Sequence, residues 1–233
     1  MKSNRDWRDT VAAAHAAGAS ELIEEGIIVH FTHRNLLDAR FHWFDFQLYI
    51  DEQRSFLAEY GPWLAAHEPG GTALLDRMRR LVDACAEVVA RSDVTPDREH
   101  VPLRLCRVDS NLANAIWCDD GRLRWVDWEY SGSGDPALDL SDFRWHAALD
   151  GLSDEQHAWL RENYRRPEGD ETFDERLKMW DRILVTRWPL LILRSLWSQH
   201  NGPDRVRLTQ AVVGVAEVRA RLVRFIERAE WLV

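Results

Sequence analysis

Lysine is almost missing from this chain of 233 residues: Lys2 and Lys178 are the only two, and arginine supplies the other basic side chains. Cysteine is scarce too, because Cys85, Cys106 and Cys118 are an odd number and no pair has C-x-x-C spacing. This pattern indicates neither a disulfide framework nor a zinc site. Since a reducing compartment suits such a chain, we expect a cytoplasmic protein.

Long apolar runs are also absent. No stretch of about 18 apolar residues occurs, which argues against a membrane-spanning helix, and the first residues lead into no hydrophobic signal region. The formal net charge of −9 disfavours nucleic acid, because phosphate binding needs a concentrated basic surface. With 45% apolar residues the chain can nevertheless bury a sizeable core. We expect a globular protein with neither membrane nor nucleic-acid partners.

Apolar spacing predicts helix along most of the chain. From Leu74 the apolar residues recur at intervals of three and four, which predicts an amphipathic helix ending before Ser92. Other helices are predicted at 7–17, 35–60, 136–149, 153–164, 172–200 and 204–231.

Three short segments alternate apolar and polar residues instead, and this pattern predicts strands. The segments are 101–106, 113–118 and 122–126. Asp120 and Gly121 lie between the last two and favour a tight turn, so we predict a β-hairpin. The small residues at 131–136 predict a loop that ends at the start of the next helix.

A polar run follows the first predicted strand. In R-V-D-S-N-L-A-N, Asp109 stands five residues before Asn114, which is the D-x-x-x-x-N spacing of a kinase catalytic loop. Taken alone, this spacing also fits a turn-forming aspartate. The hairpin, however, would return Asp127 toward Asn114, and oxygen atoms of both could bind one Mg²⁺ ion. Phosphoryl transfer needs such a set, because the protein must orient a hydroxyl and hold magnesium.

The string L-C-R-V-D-S-N-L-A-N-A-I-W, followed after Cys118 by D-D-G-R-L-R-W-V-D-W-E-Y-S-G-S-G-D-P-A-L-D-L, resembles the signature of the aminoglycoside phosphotransferase and choline kinase family. The resemblance implies ATP with Mg²⁺ and a small hydroxyl-bearing substrate. It implies that Asp109 accepts or orients the hydroxyl proton, and that Asn114 and Asp127 bind magnesium. It also implies that Asp139 braces the catalytic loop by accepting backbone hydrogen bonds. We expect Asp135 to cap the following helix rather than to contact substrate.

The resemblance implies the C-terminal lobe of the protein kinase-like fold: mainly α with a small β-hairpin (α+β). We expect one lobe over 1–233, helical over 1–100, with the catalytic loop and hairpin in 101–127 and helices over 128–233. The N-terminal nucleotide lobe is expected to be absent. No lysine lies in a strand context, no G-x-G-x-x-G occurs, and 26–31 is the only strand-like run before residue 101.

Arg107 stands where this family usually has histidine. Arginine cannot accept a hydrogen bond, so Arg107 either braces the metal loop by donating to its carbonyls or marks a relaxed catalytic requirement. The intact loop favours a phosphotransferase. Its nucleotide lobe would then be encoded separately, as a separate chain or a second subunit, or would be missing because the chain is truncated. Arg107 and the scarcity of lysine favour the alternative, a degenerate lobe that acts as a binding or scaffold protein.

Tryptophan is abundant, with twelve residues. An aromatic cage for a quaternary ammonium substrate such as choline is one interpretation of those on the later helices, because ring faces attract cations. Burial in the core is the other interpretation. The tryptophans concerned are Trp145, Trp180, Trp188 and Trp197.

Overall fold

The computed structural model describes residues 44–97, 99–120, 122–128, 130–201 and 214–233. The helix predicted at 7–17, the strand-like run at 26–31 and the first parts of the helices predicted at 35–60 and 204–231 lie outside the described residues. Two compact units are present. Residues Pro96–Asp181 form the first, whereas Asp45–Thr95 and Arg182–Val233 form the second. The prediction of a single lobe stays a prediction.

Six α-helices and four short β-strands make up the described residues. The helices are α1 (Phe46–His67), α2 (Gly71–Ala90), α3 (Pro136–Trp145), α4 (Asp154–Asn163), α5 (Phe173–Asn201) and α6 (Val215–Leu232). The strands are β1 (Arg104–Cys106), β2 (Ala115–Trp117), β3 (Leu123–Trp125) and β4 (Gly132–Gly134), and 3-10 helices lie at Leu112–Asn114 and Ala147–Leu149. This mainly helical architecture with small antiparallel strand pairs confirms the predicted fold class.

Helices α1 and α2 pack together in the second unit. The Asp45 carboxylate caps α1 by accepting a hydrogen bond from the Gln47 amide at 2.7 Å. Helix α2 buries the apolar face that the three-and-four spacing predicted. Among the described residues no helix has the length and apolar composition needed to cross a bilayer.

The β2–β3 hairpin lies in the first unit, and it confirms the prediction from the sequence. The strands pair antiparallel, with Ala115 opposite Trp125 and Trp117 opposite Leu123. The Val126 amide continues the pairing by donating to the Asn114 carbonyl at 2.9 Å. The residue before β2 and the residue after β3 are therefore neighbours.

The loop predicted at 131–136 is wrong in part, because its centre is strand β4. This strand pairs antiparallel with β1, with Cys106 opposite Gly132 and Arg104 opposite Gly134. Gly-Ser-Gly has little intrinsic preference for a strand, so the pairing depends on the partner strand. It brings the chain back to the start of the polar run before α3 begins.

The base of the hairpin is held by a small apolar cluster. Trp125, Phe143 and Leu149 are its buried members, and Trp128 packs against them. The Trp125 and Phe143 rings meet edge to face with centroids 6.0 Å apart. Burying side chains of this size contributes about 1.5–3 kcal/mol each. This cluster fixes the hairpin against α3 and the 3-10 helix that follows it.

Candidate active site

Two aspartates on α3 hold the loop at residues 107–114, hereafter the Asp109 loop. One carboxylate oxygen of Asp139 accepts hydrogen bonds from the Arg107 amide at 2.8 Å and the Val108 amide at 3.2 Å. Asp142 accepts one from the Ser110 amide at 2.9 Å. Because the two aspartates are three residues apart on one helix, they share a face. The loop backbone is thus fixed to a rigid element.

Burial dominates the electrostatics of these two aspartates. It raises the pKa of Asp139 to about 6, although the hydrogen bonds from the Val108 and Arg107 amides act in the opposite direction. Burial also raises the pKa of Asp142, although His146 and the hydrogen bond from the Ser110 amide lower it. Holding the loop therefore costs part of the stability of the folded chain at neutral pH.

Two residues of the site adopt left-handed backbone conformations. Val108 has φ 62° and Asp127 has φ 61°. For a β-branched residue such as valine this region is a clear outlier, and such strain costs on the order of 1–3 kcal/mol. The amides bound by Asp139 hold Val108 in place. Asp127 tolerates the conformation better, since aspartate enters this region more readily.

Arg107 joins the Asp109 loop to residues 126–128, hereafter the Asp127 loop. Its Nε donates to the Asp109 carbonyl at 2.8 Å, and Nη2 donates to the Val126 and Asp127 carbonyls at 2.9 and 3.2 Å. Its guanidinium lies 4.3 Å from the Trp125 ring centroid. Burial lowers the pKa of Arg107, and the surrounding carboxylates act in the opposite direction. Arg107 thus donates to the carbonyls of both loops.

Asp109 is partly open to solvent, with 21% of its side chain exposed. Its Oδ1 lies 3.0 Å from Nε2 of His146. The hydrogen bond from His146 holds the pKa of Asp109 below its usual range, opposed by burial and helped by Arg107 and the Asn111 amide. Asp109 is therefore ionised at neutral pH and can accept a proton.

Sequence reasoning missed His146. It follows α3 directly and belongs to no motif with Asp109. Its role depends on where the end of α3 meets the loop, and no local pattern encodes that position. The only sequence signal was weak: His146 comes soon after Asp139, which the family resemblance had already singled out.

Asn114 and Asp127 face each other across the base of the hairpin. Nδ2 of Asn114 lies 3.5 Å from Oδ2 of Asp127. Mg²⁺ takes oxygen ligands at about 2.0–2.1 Å in octahedral geometry, so neighbouring ligand oxygens are about 3 Å apart. Half a turn of the Asn114 amide exchanges Nδ2 for Oδ1. The two residues therefore fit one shared Mg²⁺ ion.

These two side chains form a small donor set. In the part of the chain that the structure describes, no group of three or more His, Cys, Asp and Glu side chains is arranged to hold a metal ion. An amide with one carboxylate suits an ion that takes its remaining oxygen ligands from phosphate and water.

Asp135 lies deeper in the first unit. Its carboxylate accepts from the Ala137 amide at 2.9 Å, so it caps α3 as predicted. It also pairs with the buried Arg176 guanidinium at 3.0 Å and accepts from Trp180 Nε1 at 2.8 Å. These donors occupy the carboxylate, which leaves it no role at a substrate.

The tryptophans divide between core and partly buried positions. Trp145 and Trp180 are buried, and their Nε1 atoms donate to Asp181 at 2.7 Å and Asp135 at 2.8 Å. Their rings are therefore part of the core and do not form a cage. In the second unit, Trp197 is half-buried and packs against Tyr60, with ring centroids 5.3 Å apart.

Comparison with known proteins shows which fold this chain shares. No protein-family model matches the chain, and no curated protein has a matching sequence. Solved structures do match. The chain is similar to a choline/ethanolamine kinase family protein from Mesorhizobium loti, with 20% identity and a TM-score of 0.51 over 97% of this chain and 60% of that one.

A second match is an ethanolamine kinase from Plasmodium vivax, with 15% identity and a TM-score of 0.52 over 99% of this chain and 62% of that one. The chain thus spans about 60% of the length of the kinases it matches. Identities this low show the fold alone. The chain has a choline kinase-like kinase fold.

Proposed function

We propose that this chain is the C-terminal, catalytic lobe of an ATP-dependent phosphotransferase that transfers the γ-phosphate to a hydroxyl of a small molecule. The observation that carries the proposal is the meeting of Asn114 and Asp127, 3.5 Å apart across the hairpin base. Asp109 stands in the loop that leads to Asn114, and Arg107 joins that loop to the Asp127 loop. The shared fold with choline and ethanolamine kinases supports the same function.

In this proposal each residue has one task. Asp109, ionised and partly exposed, accepts the hydroxyl proton as the oxygen attacks the γ-phosphorus and the bond to the β-phosphate oxygen breaks, releasing ADP. Asn114 and Asp127 hold Mg²⁺, which when bound neutralises negative charge on the nucleotide phosphates. Asp139 and Arg107 keep the two loops in register through backbone hydrogen bonds. Positioning supplies most of the catalysis in such reactions.

The nucleotide lobe is a separate part of the proposal. Kinases cover the phosphates with a glycine-rich loop and pair them with a strand lysine. Lys178 lies on α5, and Lys2 lies outside the described residues. We therefore expect a separate nucleotide lobe or a second subunit to present ATP.

Thermal unfolding with and without Mg²⁺ and ATP tests nucleotide binding by the chain alone. A ligand at 100 times its Kd stabilises by about 2.7 kcal/mol. At roughly 2–4 °C per kcal/mol for a chain of this size, the Tm should rise by about 5–11 °C. Asp127→Asn removes the charge while keeping a residue that tolerates a left-handed backbone, so the Mg²⁺-dependent part of the shift should disappear.

The matched control is Asp120→Asn in the turn of the same hairpin. Asp120 is exposed and pairs only with neighbouring groups of the hairpin, so this variant should keep the full shift. No shift in any form of the chain would contradict nucleotide binding by this lobe alone.

Transfer is measured separately, as ADP release with choline, ethanolamine and aminoglycosides as acceptors. The alternative function, a binding or scaffold protein, is favoured by Arg107 at the usual histidine position and by the scarcity of lysine. Under that alternative no acceptor stimulates ADP release, and Asp127→Asn changes nothing.

A further inference from the structure

His146 makes two hydrogen bonds through its two ring nitrogens. Nε2 lies 3.0 Å from Oδ1 of Asp109, and Nδ1 accepts from the Ala148 amide at 3.0 Å. The imidazole is mostly buried, with 11% of the side chain exposed. The ring is therefore held at both ends, by a carboxylate on one side and by the 3-10 helix Ala147–Leu149 on the other.

These two partners fix the tautomer of the ring. A backbone N–H can only donate, so Nδ1 carries a lone pair and no proton when it accepts from Ala148. The ring proton of neutral His146 then lies on Nε2, which faces Asp109. A carboxylate is an acceptor, and the contact becomes an Nε2–H···Oδ1 hydrogen bond.

We propose that His146 is a positioning residue, which orients the Asp109 carboxylate toward the acceptor hydroxyl through the Nε2–H···Oδ1 hydrogen bond. The inference rests on the proposed phosphotransferase function and goes beyond it, because neither the family resemblance nor the spacing of Asp109, Asn114 and Asp127 points to His146.

The same geometry separates positioning from proton relay. The proton that Asp109 takes from a hydroxyl cannot pass to Nε2, which already carries one, and Nδ1 faces the Ala148 N–H. The Asp–His arrangement therefore works in the opposite sense to a serine-protease triad, where the aspartate orients the histidine. In this chain the histidine orients the aspartate.

The charged groups around the pair come from several elements. Arg107 in the Asp109 loop favours ionised Asp109, whereas Asp142 on α3 faces His146 and Asp109 and carries negative charge when ionised. Asp142 also accepts a hydrogen bond from the Ser110 amide, which partly compensates its negative charge. The pH dependence of Asp109 thus reflects His146 first, with Arg107 and Asp142 as its neighbours.

Two substitutions separate the two bonds of the ring. In His146→Asn the side-chain oxygen can still accept from Ala148, but no donor reaches Asp109. In His146→Gln the amide nitrogen can reach Asp109, but the bond to Ala148 is lost. The first variant therefore keeps the hydrogen bond from the Ala148 amide and removes the one to Asp109, and the second variant does the reverse.

The first measurement needs no catalysis and uses the full chain. Long-range ¹H–¹⁵N NMR should show neutral His146 protonated on Nε2 in the wild type. Carboxyl ¹³C titration should show a higher pKa for Asp109 in His146→Asn than in the wild type, and a smaller change in His146→Gln. A wild-type ring protonated on Nδ1, or an unchanged Asp109 titration in His146→Asn, would overturn the inference.

The second measurement is steady-state transfer. His146→Asn should lower kcat about 10- to 100-fold, part of the 10²–10⁴ that a positioned base contributes, with the KM for ATP unchanged. The acid limb of its kcat–pH profile should move to higher pH, because Asp109 must be ionised to accept the proton. His146→Gln should recover much of the loss; equal kcat values for wild type and His146→Asn would overturn the inference.

His157→Asn is the matched control. His157 is buried to a similar degree and stacks on Trp145, with ring centroids 4.8 Å apart. It should leave the Asp109 titration unchanged. If the wild type shows the expected tautomer and titration but transfers no phosphate under any condition, the proposed function fails while the hydrogen bond between His146 and Asp109 stands.

Discussion

Asp109 and Asp135 lie in the same compact unit, yet they have opposite surroundings. Asp135 is fully buried and accepts from Arg176, Trp180 and the Ala137 amide. Asp109 keeps 21% of its side chain exposed and is held chiefly by His146. A carboxylate whose acceptor sites are filled stabilises the fold, whereas one with an open side can take a proton from a ligand.

The difference between Asp109 and Asp135 should be largest in the rate of phosphate transfer. We expect Asp109→Asn to lower phosphate transfer about 10²- to 10⁴-fold, because an amide does not accept the hydroxyl proton. The free energy of unfolding should change by less than about 1 kcal/mol, since an amide oxygen can still accept from His146. Steady-state ADP release and urea denaturation measure the two effects. Destabilisation as large as that of an Asp135 variant would break the comparison.

Asp135→Asn should have the opposite profile. The amide can keep the cap of α3, but Arg176 loses one of its two carboxylate partners while remaining buried. Removing one partner of a buried ion pair costs about 3–5 kcal/mol, and we expect the lower end because Asp170 remains. Urea denaturation measures the loss. Asp120→Asn, at an exposed pair with Arg124, is the control and should leave the midpoint unchanged.

Asp139 stands between these two extremes, since it is buried and yet serves the Asp109 loop. Its pKa is about 6 in the folded chain, against an ordinary value of 3.8 in an unfolded one. Between these values the folded state binds more protons than the unfolded state, so stability falls as pH rises from about 4 to 6. A difference of about 2 pKa units corresponds to a loss on the order of 3 kcal/mol.

Asp139→Asn removes this titration and keeps an oxygen for the two amides. Across a series of Tm values from pH 4 to 7, the variant should therefore gain stability relative to the wild type as pH rises. Parallel Tm curves for the two proteins would show that Asp139 has an ordinary pKa, and that burial imposes no cost there.

The smallest effect is expected for Arg107→Lys. Lysine keeps the charge but offers neither the planar group that lies over Trp125 nor the three fixed bonds to the Asp109, Val126 and Asp127 carbonyls. We expect a loss of about 1–2 kcal/mol, measured by thermal denaturation. Arg104→Lys, at an exposed position in β1, is the control. Equal stability of both variants would mean that Arg107 joins the two loops only loosely.

Local signals predicted the hairpin and through it part of the site. Alternating residues on both sides of an Asp-Gly pair define β2 and β3, and antiparallel pairing then forces Asn114 and Asp127 together. The apolar spacing after Leu74 likewise predicted α2. Such signals are readable because each depends on residues close in sequence.

Other features were not readable in this way. The pairing of β4 with β1 has no propensity signal, because Gly-Ser-Gly forms a strand only when its partner is present. The sequence also left open whether Trp145 and Trp180 line a substrate cage or pack in the core, because tryptophan suits both environments. Burial and hydrogen bonds to Asp181 and Asp135 decided it.

The sequence by itself determined a mainly helical chain with a β-hairpin and a polar loop that resembles a kinase catalytic loop. Apolar periodicity and turn residues depend only on neighbouring positions, so the sequence alone shows them. Only the tertiary structure decided which aspartate carboxylates have their acceptor positions occupied by protein donors and which keep one side exposed. The number of donors around a carboxylate depends on residues that are distant in sequence. The contact between His146 and Asp109 is of this second kind.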